Sequence, residues 1–391
     1  MTPRAATSVC FLVNGALVGT WVAQIPFVQE RFDVSKATIG VVLLFMAAGA
    51  FVAMPLTGQV LDRHATAGVL RIAALAYPLL LLLPLAASGP LVLAAALVVF
   101  GAGNGAMDVS MNAHGVAVER ALARPIMSSL HACWSFGGLA GAGGVATAVA
   151  LGVDPRLEGA CAAVLLWIVV ALATARLGDA SLHAEREPRP AGFALPSRAV
   201  TLIGALCFLV MTAEGAVADW AGIYLTGETG ASRAVSATGF AGFSLGMALA
   251  RLGGDGLVAR YSRRRVLVGG AALAATSLAI LLVAGHAAVA VVAFVLVGVG
   301  VANAVPLLFS AAGRVPPAGP SLAAVFTIGY LGFILGPPVI GVLADAITLT
   351  WALALVCAAL ALVAALGGRA VGESRAAPES LSGLAPETID H

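Results

Sequence analysis

Charge is scarce in this chain: Asp, Glu, Lys and Arg make up 10% of its 391 residues, and the net charge is only +2. Hydrophobic residues reach 60% and the mean hydropathy is +1.01, so a soluble surface could not be kept wet. A surface facing lipid removes that difficulty. The small net charge and the single, scattered basic residues exclude a nucleic-acid-binding patch. Cysteine is sparse too. Cys10, Cys133, Cys161, Cys207 and Cys357 all fall in apolar stretches without C-x-x-C spacing, which excludes a disulfide framework and a zinc site. P-loop, G-x-S-x-G, H-E-x-x-H and dinucleotide fingerprints are missing, so neither an enzyme, a cofactor nor a bound metal is expected.

What the chain has is apolar length. Segments near 8–29, 38–60, 67–87, 91–115, 126–150, 159–177, 199–225, 235–257, 266–285, 289–312, 321–344 and 350–367 each suit a membrane span. A span needs about 20 apolar residues to cross roughly 30 Å of hydrocarbon. Twelve of them leave no room for a soluble catalytic domain. The first segment is too long for a signal peptide and holds Asn14, Gln24 and Pro26, so it reads as a retained span.

Arginines decide the expected orientation. With the N-terminus in the cytoplasm, most basic residues, among them Arg63, Arg71, Arg120, Arg124, Arg176, Arg186, Arg189, Arg260 and Arg263, fall on the cytoplasmic side. Arg31, Lys36, Arg156 and Arg233 fall opposite, an asymmetry that predicts a bacterial cytoplasmic membrane protein with both termini on the cytoplasmic side. The longest internal loop, 178–198, is rich in charge and proline and divides the spans six and six. The expected organisation is an N-terminal bundle over 1–177, a cytoplasmic linker over 178–198, a C-terminal bundle over 199–367 and a disordered tail over 368–391.

Polar residues are distributed unevenly among the spans. Spans 3, 6, 9 and 12 are nearly pure Ala, Leu, Val and Gly and can face lipid. Spans 1, 4, 7 and 10 carry Asn14 and Gln24, then Asn104, Asp108 and Asn112, then Glu214 and Asp219, then Asn303. Ionisable groups are costly in hydrocarbon, so these spans should converge on a shared central cavity. The halves also echo one another. FLVNGALVGTW in span 1 answers FLVMTAEGAVADW in span 7, and SFGGLAG in span 5 answers YLGFILG in span 11, with Gly137, Gly141, Gly332 and Gly336 as small-residue contacts.

Over nearly its whole length the chain resembles the major facilitator superfamily. The family's Gly-x3-Asp-Arg motif after span 2 stands here as Gly58, Asp62 and Arg63, while Ala65, Thr66 and Ala67 replace the glycine and basic pair that usually follow. GNGAMDVSMNAHGVAVER, EGAVADW, RLGGDGLVAR and GYLGFILGPP are similar to stretches of bacterial facilitators near the fucose-permease-like sugar:proton symporters. The resemblance implies an all-α membrane protein of two pseudo-symmetric six-helix bundles. It also implies transport by alternating access, with a small solute and protons as partners.

Several constellations fit that expectation. Asn104, Asp108 and Asn112 lie at i, i+4 and i+8 on one helical stripe, as a cavity wall would, although a structural hydrogen-bond network would place them likewise. Glu119 continues the stripe towards a loop-side charge network with Arg63 and Arg120. Glu214, close to mid-membrane, is the first choice for proton coupling, with Asp108 second. Asp219 lies five residues on, about 140° around the helix, and suits an outer gate better than the same narrow stripe. His131, Trp134 and Ser135 combine a titratable donor, a stacking surface and a hydroxyl.

Thr327 and Tyr330 share a face of span 11, where Pro337 and Pro338 interrupt backbone bonding. Arg251 and Asp255, at i and i+4, can pair as a cytoplasmic gate or clasp near Arg260. Asn14, Trp21, Gln24 and Asn303 are cavity residues by position, Trp21 suiting an interfacial belt equally well. The expected activity is proton-coupled transport of a small, sugar-like polar solute by a monomer. Efflux of hydrophobic compounds and a non-transporting membrane sensor are the alternatives, and uptake in proteoliposomes separates them.

Overall fold

The structure, a computed structural model, describes residues 1–61, 63–122, 126–178, 197–316 and 318–371. Asp62, Arg124, Arg186, Arg189, nearly all of the linker 178–198 and most of the tail 368–391 lie outside the described residues, as does the Asp255 side chain. Among the described residues the chain is helical without strands, and twelve helices are long and apolar enough to span a membrane. Spans 1 to 6 are Pro3–Phe32, Lys36–Leu61, Thr66–Ala86, Pro90–Leu122, Ser129–Ala150 and Pro155–Thr174. Spans 7 to 12 are Arg198–Gly227, Arg233–Leu252, Arg263–Ala284, Ala287–Ala312, Ala324–Ala346 and Leu349–Ala370.

Local signals set many of the ends. Thr2, Asp154, Ser197, Ser232 and Thr348 each accept a backbone N–H from the first turn they precede. Pro3 and Pro155 open their helices where the missing N–H costs nothing. Gly285 closes span 9 in the left-handed conformation. Span 11 runs unbroken through Pro337 and Pro338. Span 10 is broken instead, into Ala287–Val301 and Ala304–Ala312, with Asn303 just before the second piece.

Helix pairing repeats between the halves. Span 1 packs chiefly on span 5 and span 2 on span 4, as span 7 packs on span 11 and span 8 on span 10. Spans 3 and 6 pair as do 9 and 12, while span 5 meets span 8 and span 2 meets span 11 across the middle. These pairings make two pseudo-symmetric bundles of six.

Burial follows the expected period of three only in part. Spans 1 and 7 are central, with 72% and 61% of their apolar windows buried, and spans 6 and 12 are peripheral at 28% and 33%. Span 3 breaks the pattern: at 44% it is as buried as span 4, because Tyr77 stacks on Phe100 and fills the space between them. Span 8 reaches 61% without a mid-span charge, because it packs on both span 5 and span 10.

Candidate functional site

A cavity of about 320 Å3 lies between the bundles, within the range of about 300–1,000 Å3 usual for small-molecule sites. Seven spans border it: 1, 2, 4 and 5 from the first half and 7, 8 and 11 from the second. Span 10 contributes nothing, which corrects the expected convergence of spans 1, 4, 7 and 10. Spans 2, 5, 8 and 11 supply mostly apolar and aromatic groups, among them Leu43, Met46, Trp134, Phe240, Phe243, Tyr330 and Phe333.

The wall from the first half is a hydrogen-bonded relay. Trp134 Nε1–H donates to Asn14 Oδ1 at 2.7 Å, and the Asn14 amide donates to Asn104 Oδ1 at 3.3 Å, joining spans 5, 1 and 4. Asp108 lies one turn beyond Asn104 on the cavity face, and Asn112 bonds back to its side chain at 3.2 Å and to its carbonyl at 2.8 Å. The polar stripe on span 4 therefore ends at Asp108, and Asn112 supports that carboxyl without reaching the cavity. His131 also borders the space, with its ring edge-on to Phe11.

The wall from the second half is acidic. Glu214 and Asp219 both border the cavity, because Gly215 and Ala218 between them are small enough to leave one broad concave face. Asp219 thus belongs to the cavity lining. Glu214 is only 9% exposed, and its Oε1 has no hydrogen-bond partner. Arg251 completes the lining from span 8. Its Nε–H donates to Ala302 O at 3.3 Å and its Nη1 donates to Ser135 Oγ at 3.2 Å, so it ties span 8 to span 5 across the two halves.

Other sequence candidates sit elsewhere. Gln24, 1% exposed, donates to Pro155 O and borders a smaller recess at the end of the molecule away from the N-terminus. Asn303 serves the break in span 10, donating to Ala250 O at 3.4 Å, and lines a separate recess. Ser135 is buried and reaches the cavity only through Arg251. Trp21 is buried and borders the cavity, away from any interfacial belt. Tyr330 borders the cavity, while Thr327 is exposed and does not.

The proposed loop-side network also changes. Glu119 Oε2 accepts the backbone N–H groups of Ile126 at 2.6 Å and Met127 at 3.0 Å, so it caps the helix of span 5 and does not join Arg63 and Arg120, both exposed. Around Gly58 there is open space, and Arg260 lies over the Tyr261 ring at 5.3 Å. Whether Arg251 pairs with Asp255 falls outside the described residues.

Sequence reasoning missed a set of ties at the end opposite the N-terminus. Lys36, opening span 2, pairs with Glu228 beyond span 7 at 2.9 Å. Asp345, ending span 11, accepts the backbone N–H groups of Lys36 and Ala37, each at 3.0 Å. Glu228 also accepts from Thr350 at 3.2 Å, and Arg233 pairs with Glu30. The signal was available: charges standing within a few residues of span ends on both halves.

Comparison with known proteins agrees with this architecture. A family model described as Major Facilitator Superfamily matches residues 203–387. The chain is 37% identical to an uncharacterized MFS-type transporter of Yersinia pestis over 95% of its own length and 96% of the relative's. It is 32% identical to the membrane protein MosC of Rhizobium meliloti, over 90% of this chain and 86% of that one. Among solved structures it resembles a point mutant of the nucleoside transporter NupG, with a TM-score of 0.76 at 14% identity over 95% of this chain and 100% of that one. A bacterial homolog of the human lysosomal transporter Spinster, in an inward-facing and occupied conformation, gives 0.72 at 14% identity, covering 94% and 96%. At that identity the likeness concerns the fold.

Proposed function

Because the chain belongs to the major facilitator superfamily and is a multi-pass membrane transporter, not an enzyme, we propose that it moves a small polar solute by alternating access, coupled to protons through Glu214 and Asp108. The observation that carries this reading is a cavity built from both halves that holds a carboxyl with an unpaired, buried oxygen. A carboxyl so placed can take up a proton from one side and release it to the other as the halves rock. Arg251 with Ser135 ties the halves on one side of the cavity, and Lys36, Glu228 and Asp345 tie them at the end away from the N-terminus. Breaking one set while the other holds is what alternation requires.

The arginine asymmetry supports cytoplasmic termini in a bacterial cytoplasmic membrane. That puts the Lys36 ties on the outer face. The relay from Trp134 through Asn14 to Asn104 supports a sugar-like solute taken up with a proton, as in the fucose-permease-like symporters that the sequence resembles. The aromatic surfaces of Phe240, Phe243 and Phe333 favour a second reading, efflux of amphipathic compounds. Transport in proteoliposomes with an imposed pH gradient tests both readings, since the direction of coupled movement differs. Asp108→Asn and Glu214→Gln are each expected to abolish accumulation against a gradient. A variant that still accumulates solute with unchanged pH dependence removes its residue from the coupling role.

Lys36 offers a readout that needs no solute, because it is the single lysine in the chain. A membrane-impermeant amine reagent should modify it faster when the outer ties part, since its side chain is 24% exposed while they hold. A rate that never changes under any condition would sink alternating access.

A further inference from the structure

The cavity is unequal in charge. Asp108, Glu214 and Asp219 border it against one guanidinium, that of Arg251. Arg251 already spends two of its donors on Ala302 O and Ser135 Oγ. Asp108 has Asn112 on its side chain, whereas Glu214 is nine-tenths buried and its Oε1 is bonded to nothing. A buried carboxyl without a hydrogen-bond donor is costly to keep. The surface around it is aromatic, from Trp134, Phe240, Tyr330 and Phe333, and ring faces attract ammonium groups far more than anions. His131 and Tyr330 are the remaining titratable groups on the lining, and neither supplies a fixed positive charge as Arg251 does.

An anion entering here would meet three carboxyls for one guanidinium, that of Arg251, two of whose five donors are taken. A neutral polyol could bond to the amides but would bring no charge to Glu214. Resting on the transport reading above, we infer that the solute carries a protonated amine, with its ammonium docked on Glu214 beside the aromatic wall and its polar remainder on Asn104. Glu214 then exchanges its proton for the solute's ammonium, and Asp108, on the opposite wall, carries a proton without holding the solute. The roles of the two carboxyls divide by neighbour: one lacks a donor and awaits it from the solute, and the other already has one.

Matched probes test the class on the purified full chain by thermal shift. One set is glucosamine, glucose and glucuronate; a second is phenethylamine, 2-phenylethanol and phenylacetate. Only the amine of a set should raise the unfolding midpoint. In Glu214→Gln the amine should bind about thirtyfold to a few thousandfold more weakly, as expected when one side of a buried charge pair is removed. Asp108→Asn should weaken amine binding less than Glu214→Gln does, while losing pH-dependent accumulation. An equal or larger shift from the neutral or acidic member, silence from both amines, or an unchanged response in Glu214→Gln would overturn the proposal. Lys36 modification in the same preparation keeps the two failures apart: if its exposure still alternates, only the solute class falls, and if it never does, the transport reading falls with it.

Discussion

The two halves close equivalent helix pairs by different means. In the first half, spans 1 and 5 meet glycine against backbone on both sides: a Cβ on Gly15 would overlap Trp134 O, and one on Gly137 would overlap Leu12 O. In the second half, spans 7 and 11 lean more on side chains, although a Cβ on Gly332 would come within 2.5 Å of Phe208 O. Gly204 faces Ile328, Gly329 faces the sulfurs of Cys207 and Met211, and a Cβ on Gly336 would find its nearest neighbour at 3.6 Å. The same contrast runs through the cavity. The first half presents amides already bonded in a chain, while the second presents Glu214 with an oxygen unbonded. One bundle is a finished wall. The other keeps the adjustable contacts and the unmet chemistry, so movement and solute capture should both register most strongly there.

The largest effect expected from breaking this contrast is at Gly137. Gly137→Val would force a branched side chain against the Leu12 carbonyl in a pair that cannot separate without splitting the bundle, and folded protein should fall to background in size-exclusion profiles. Gly336→Ala, at the second-half site that matches Gly141, should change the unfolding midpoint little. If both were tolerated, the first bundle would not be the tighter one.

Next comes the cavity. Glu214→Gln should abolish accumulation in proteoliposomes. Asn14→Ala, which strips Trp134 Nε1 and Asn104 of a partner, should cost about 1–3 kcal/mol in folding stability or solute affinity, read by denaturation and by binding. Equal losses of transport from the two would erase the distinction between an unmet acid and a satisfied amide. A smaller effect is expected at Asp345. Asp345→Asn keeps the shape but weakens a charge-assisted cap, worth about 1 kcal/mol, and should raise Lys36 reactivity several-fold. Smallest is Arg233→Gln. Its pair with Glu30 is exposed, with side-chain accessibilities of 63% and 57%, so the midpoint should move by less than about 1 kcal/mol in stability terms.

Much of the fold was legible before any coordinates, because crossing hydrocarbon demands apolar length and every segment had it. The twelve expected segments correspond one to one with twelve helices, though helical ends reach past the apolar cores: span 1 begins at Pro3 and span 4 continues to Leu122. The cavity was legible where polarity marked it, at Asn14, Asn104, Asp108, His131, Trp134, Glu214 and Tyr330. It was illegible where the wall is apolar. Leu43, Met46, Phe240 and Phe243 look in sequence like any lipid-facing residue, so spans 2 and 8 went unrecognised as cavity walls. Polarity also misled. Gln24 and Asn303 are as polar as Asn14, but they answer backbone carbonyls at a helix start and beside a helix break. A sequence shows that a buried amide needs a partner, and only the fold shows whether that partner is a solute or the chain itself.

The cap on span 2 has a consequence of its own. Its first two amides, at Lys36 and Ala37, are held by a carboxylate that belongs to the opposite half, so this helix completes its opening turn only while the bundles are together there. A parting of the halves at this end would leave those two N–H groups to water. Their deuterium uptake would then report, without any label, how large a share of the molecules has the halves apart at this end.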